Sequence, residues 1–162
     1  MNRWAERHAD ALQRELEPGE LLLAAHRVQL AGAESASVVG SPDSDAEVPV
    51  RWGGRGAPPA RRSMKRRVEH AHQLGFDVPS GIFVLGLSDR RIIMWEATPG
   101  MARPVRLASS IPLAEIAAVP IVRRWGSVRL VVLRDDQSML VVQPLWSRRL
   151  RDLSAAFDAA TN

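Results

Sequence analysis

The chain has 162 residues, 46% apolar and 25% charged, the balance of a globular domain rather than of a disordered or fibrous chain. It contains no Cys, which excludes disulfides, thiolate catalysis and Cys-based zinc sites. Lys plus Arg is 22 against 18 acids, but the excess is local: Arg51, Arg55, Arg61, Arg62, Lys65, Arg66 and Arg67 fall between Val48 and Val68 with no acid among them. The remaining 15 bases and 18 acids leave the rest of the chain slightly negative. A local basic patch is an argument about partners, not about fold.

No apolar run approaches the roughly 18 residues that span a bilayer, and the charged N-terminus has no apolar block followed by small residues, so a cytoplasmic chain is expected. Residues 3–16 place Trp4, His8, Leu12 and Leu16 at spacings of four, with Asn2 available as N-cap. This predicts one amphipathic helix ending at Pro18-Gly19, so that residues 1–17 form an N-terminal helix ahead of a domain over 18–160. ELLLAAHRV at 20–28 reads as the first strand. From Gly32 to about Ser80 the Gly, Pro, Ser and Asp content predicts a long insertion, assigned to 31–79. Within it Met64, Val68, Ala71 and Leu74 share one side of a short helix over Ser63–Leu74, ended by Gly75.

Beyond Pro79 the chain is strand-rich. IFVLGLS at 82–88 and RIIMWEA at 91–97, separated by Asp89-Arg90, predict a hairpin, followed by strands over 104–113, 116–122, 127–134 and 139–144. Thr98-Pro99-Gly100, Trp125-Gly126 and Asp135-Asp136-Gln137 supply turns, and Trp146, Leu150, Leu153 and Phe157 mark a closing helix. The fold class is mainly β (α+β): seven antiparallel strands with short connections, a C-terminal amphipathic helix, an N-terminal helix and an insertion after the first strand. Stretches such as IIMW and LVVL are apolar on both faces, so the outer face needs a cover. The N-terminal helix supplies part of it, and the remainder predicts a homo-oligomer or a protein partner.

Three segments carry a family resemblance. LEPGELLLAAHRV at 16–28 has a Pro-Gly-Glu before an apolar strand, FVLGLSDRRIIMW at 83–95 joins two apolar strands through Ser-Asp-Arg-Arg, and IPLAEIAAV at 111–119 has Ile-Pro, an acid and Ile entering a strand. Together with the closing helix, they make the chain resemble the bacterial pleckstrin-homology-like (PH-like) and GRAM-like domains. The resemblance implies a seven-stranded barrel closed by the helix. It also implies a binding module rather than an enzyme, holding lipid headgroups, peptides or proteins at the barrel rim. Lipid-binding members carry bases along the second strand, whereas IFVLGLS has none; here the bases lie in the insertion that opens on the same rim.

The expected site is therefore Arg61, Arg62, Lys65, Arg66 and Arg67, holding an anionic partner such as inner-membrane phospholipid, with the chain peripheral at the membrane face. Arg90 and Arg91 are a second basic pair, which the resemblance makes equally a structural part of the hairpin. A protein-interaction or oligomerisation module is the main alternative. Nucleic-acid binding is a further one, but no aromatic interrupts Arg61–Arg67 to stack a base. His70 and His72 stand two apart, a spacing that splays helical side chains, and His26 reads as a buried strand residue rather than a general base. There is no Gly-x-Ser-x-Gly elbow, and RWGGRG lacks the strand and helix that flank a phosphate loop. No catalytic residue, metal or cofactor is expected.

Overall fold

Strand pairing organises the chain. The computed structural model describes residues 3–35, 61–99, 103–124, 127–145 and 151–161, the side chains of 32–35, 61–63, 124 and 127 excepted. Its antiparallel strands are β1 (Leu22–Ser35), β2 (Ile82–Ser88), β3 (Arg91–Ala97), β4 (Pro104–Pro112), β5 (Ile116–Ala118), β6 (Ile121–Arg124), β7 (Ser127–Arg134) and β8 (Ser138–Pro144). They form one eight-stranded sheet in the order β4-β3-β2-β1-β8-β7-β5, with β6 also on β7. The hydrogen-bonded ladder is open, with β4 and β5 at its ends.

β1 is longer than expected. The sequence predicts loop from Gly32, but the strand runs on to Ser35, because its first half pairs with β2 and its second half with β8. An irregularity between Leu30 and Gly32 accompanies the change of partner, as bulges do where a strand bends. The strand predicted over 116–122 is in fact two. β5 lies opposite Leu133 and Arg134, and β6 opposite Ser127 to Leu130. Pro120 between them has no N–H to give the ladder, although its carbonyl still accepts from Val131 N at 3.0 Å. This interruption accounts for eight strands where seven were expected.

The period-two alternation sorts side chains onto two faces. Phe83, Leu85, Leu87, Ile92, Met94, Leu130, Val132, Leu140 and Val142 face the main core. Ala25, Val84, Ile93 and Trp95 point the other way into a second cluster. Gly86 fits this second face for a steric reason: a Cβ there would stand 2.5 Å from Trp95 Cζ3 and 2.8 Å from Cη2. The indole lies over the bare glycine backbone.

Each face has its own helices. α1 (Arg3–Arg7) and α2 (Ala9–Gln13) cover the outer cluster through Ala5 and Leu12, with Trp4 and Leu16 packed against it. The single helix predicted over 3–16 is broken at His8, whose φ −115° and ψ 17° leave the helical region. Helices this short are not stable by themselves; the apolar sheet beneath holds them. The main core is closed by α3 (Arg61–Gln73) and α4 (Arg151–Thr161), which contribute Ala71, and Leu153 and Phe157. The residues 146–150 expected to open α4, the insertion over 36–60 and the Trp125-Gly126 turn lie outside the described residues.

Candidate functional site

α3 carries the predicted basic cluster, and its register decides what the cluster can do. Met64, Val68 and Leu74 pack against the main core, where Ala71 is fully buried. Gly75, at φ +79°, ends the helix as predicted, and Phe76 N bonds back to Ala71 O at 2.9 Å, a left-handed cap. The next residue turned inward, Phe76, is itself in the core. The apolar stripe that could enter a bilayer is therefore spent on the protein's own sheet.

The opposite side of α3 is left to solvent. Lys65 and Arg66 are exposed and Arg67 is half-buried, and the first turn contains no acid. Lys65 reaches Glu69 one turn on at 3.7 Å, with both side chains mostly exposed, a weak and salt-screened pair. Arg61 and Arg62 belong to the same helix, one turn before Lys65 and Arg66; their side chains lie outside the described residues.

Arg90 and Arg91 are placed elsewhere and are engaged. Arg91 Nε and Nη2 donate to the two oxygens of Glu20 at 2.9 and 2.8 Å, and Nη1 lies 3.7 Å from Glu17. Arg90 Nη1 is 3.4 Å from Glu17. Ser88 Oγ donates to Glu20 at 2.6 Å and accepts from the Arg90 and Arg91 amides. Neither Asp89 nor Arg90 has positive φ, so this hairpin uses a serine-capped turn instead of the mirror-image turn usual for two-residue loops.

The three segments behind the family resemblance meet at this corner. Leu21 N donates to Asp89 Oδ1 at 2.9 Å, Asp89 N to Leu21 O at 3.0 Å, and Leu113 N to Arg90 O at 2.9 Å. The Arg91 hydrogen bond lowers the Glu20 carboxyl to about 2, helped by Ser88 and the Glu17 amide and opposed by burial. The Pro-Gly-Glu and Ser-Asp-Arg-Arg segments are both visible in the sequence, but no local spacing indicates that their side chains bind each other.

The histidines do not converge. His70 Nδ1 faces Gln73 Oε1 at 3.4 Å, while His72 Nε2 faces Val78 O at 3.3 Å and Asp77 at 3.4 Å. His26 is buried on the core side of β1, and burial holds its imidazole below the ordinary value despite the opposing influence of Asp152. Among the described residues no three His, Asp or Glu side chains gather as metal ligands would, and no helix is long and apolar enough to cross a membrane. No protein-family model matches this chain, and no curated protein is similar to it.

Proposed function

We propose that the chain is a non-enzymatic PH-like or GRAM-like binding module that contacts an anionic phospholipid surface through α3. The observation that carries this is the division of that helix: its apolar stripe packs on the sheet, and Lys65 and Arg66 face solvent. Contact is then electrostatic, each base contributing about 1 kcal/mol near an anionic surface, with no apolar insertion. Arg67, Arg61 and Arg62 extend the same basic segment.

The PH-like reading is supported by topology. A long first strand is shared by two half-sheets, β4-β3-β2 on one side and β8-β7-β5 on the other. Residues from both halves line one core, which α4 closes, an arrangement compatible with a curled, barrel-like sheet. The alternative of a partner docked on an apolar sheet face has less to support it, because α1 and α2 already fill the outer cluster.

Co-sedimentation with phosphatidylglycerol and phosphatidylcholine vesicles tests the reading. Binding to the anionic vesicles alone, weakened at physiological salt, is expected. It should be lost in R61Q/R62Q/K65Q/R66Q/R67Q with the melting temperature unchanged. Absence of wild-type binding at low salt, or undiminished binding by the variant, would overturn it.

A further inference from the structure

The two sides of α3 are not equally engaged. On one, Lys65 reaches Glu69 at 3.7 Å, and His72 Nε2 meets Val78 O at 3.3 Å and Asp77 at 3.4 Å. On the other stand Arg66, Arg67 and His70, and none of these ion-pairs with an acid among the described residues. His70 follows Arg66 by four residues and Arg67 by three, so helical spacing makes the three neighbours on one surface. Arg66 and His70 are exposed, and so is Gln73, the next residue of that row.

The register of the helix separates its two histidines. With Met64, Val68 and Ala71 against the sheet, position 70 falls on the outer side beside Arg66, and position 72 falls on the flank nearer the sheet. His70 Nδ1 is turned to Gln73 Oε1 at 3.4 Å, a neutral partner on the same helix, which leaves Nε2 on the far side of the ring. His72 is instead turned to the segment that follows the helix, where Val78 O and Asp77 take its Nε2. The other charged groups of the elements around α3 are committed elsewhere. On β1, His26 is buried on the core side, and Arg27 lies over Trp4 at 5.3 Å on the opposite face. At the C-terminal end of α3, Arg134 of β7 sits over Phe76 at 5.5 Å and is paired with Glu115 at 2.9 Å and Asp136 at 3.8 Å.

We infer that His70 is a further headgroup contact of α3: it faces the anionic lipid surface together with Arg66, and by taking up a proton there it makes the module bind more tightly as pH falls. The inference rests on the phospholipid reading of α3. Histidine is the side chain whose charge changes between about pH 8 and pH 5. A lipid phosphate has oxygens enough to accept from the Arg66 guanidinium and a protonated ring at once, and the negative surface favours the charged ring over the neutral one. Linkage makes the effect reciprocal: a surface that favours the proton is itself bound more tightly once the proton is taken up.

The test is co-sedimentation with phosphatidylglycerol vesicles at about pH 8 and pH 6, at one low ionic strength, for the wild type, H70Q, H72Q and H70R. Wild-type affinity is expected to rise as pH falls, towards the about fivefold that one added cation supplies near such a surface. H70Q should lose most of that rise and H72Q should keep it, while H70R should bind at the higher pH as the wild type does at the lower. Melting temperatures at both pH values check that all four proteins are folded. Binding that depends on the five bases yet is equal at the two pH values, or a rise that survives in H70Q, would overturn the role of His70 and leave the phospholipid reading standing. No binding to the anionic vesicles at either pH would overturn both.

Discussion

Glu20 and Arg91, 71 residues apart, form a forked ion pair in which Nε and Nη2 donate to the two carboxylate oxygens at 2.9 and 2.8 Å. The Glu20 side chain is wholly buried and that of Arg91 is 14% exposed. The pair fastens the segment entering β1 to the β2–β3 hairpin. It also explains how the chain can hold a carboxylate beside two apolar strands: each oxygen has at least two donors, from Arg91, Ser88 and the Glu17 amide.

Neutralising Glu20 leaves the mostly buried Arg91 guanidinium with only the looser 3.7 Å contact to Glu17, which costs about 3 kcal/mol. Glu20→Gln should therefore lose about that much in urea denaturation. Glu17→Gln, whose partners Arg90 and Arg91 meet it on the exposed side, should lose under about 1 kcal/mol. Equal losses would show that Glu20 is no more than a surface charge.

Acid should unfold the protein in two stages. Glu20 is held at about 2 against an ordinary 4.5, so its contribution is complete above the ordinary value and drains away as pH falls from 4.5 towards 2. His26 is likewise held below its ordinary 6.5. The folded state favours the neutral imidazole, so stability is complete above 6.5 and declines as pH falls below it, because the unfolded chain takes up the proton first. Denaturant midpoints across this range should show both declines; Glu20→Gln should shrink the lower, to which Asp136 also contributes through its Ser138 hydrogen bonds, and His26→Leu the upper, to which His8 also contributes.

Gly86 and Trp95 should be energetically coupled. An added Cβ enters the space of the indole, so Gly86→Ala should cost about 2 kcal/mol by overpacking. Trp95→Phe removes the part of the ring that the methyl meets. In that background the glycine substitution should cost less, by a coupling of about 1 kcal/mol in a double-mutant cycle. Strict additivity would mean the two residues do not share that space.

Leu12 measures how firmly the outer face is covered. It is fully buried in the cluster with Ala25, Val84, Ile93 and Trp95, so Leu12→Ala should cost about 3 kcal/mol. Hydrogen exchange should show the loss in α1, α2 and the amides beneath Trp95. Loss of protection confined to α1 and α2 would show that the cover adds little to the sheet.

The strands over 82–88 and 91–97, the Gly75 stop and the core role of Phe157 were legible in the sequence, because alternation, left-handed glycine and helical spacing are local properties. β1 was not: nothing local to Gly32–Ser35 marks a strand, and those residues pair with β8 more than a hundred positions away. The break at Pro120 was written in the sequence, but its effect on the strand count became clear only through pairing with β7. The basic segment of α3 was found by counting charge. Which side of it remains exposed depended on Met64, Val68 and Ala71 meeting the sheet. The Glu20–Arg91 pair joins residues from segments with no sequence proximity. Composition and periodicity determined the elements, since hydrophobic patterning acts within a few residues; tertiary structure alone decided which charges pair, as Glu20 with Arg91, and which face solvent, as Lys65 and Arg66, since Coulomb forces depend on distance in space.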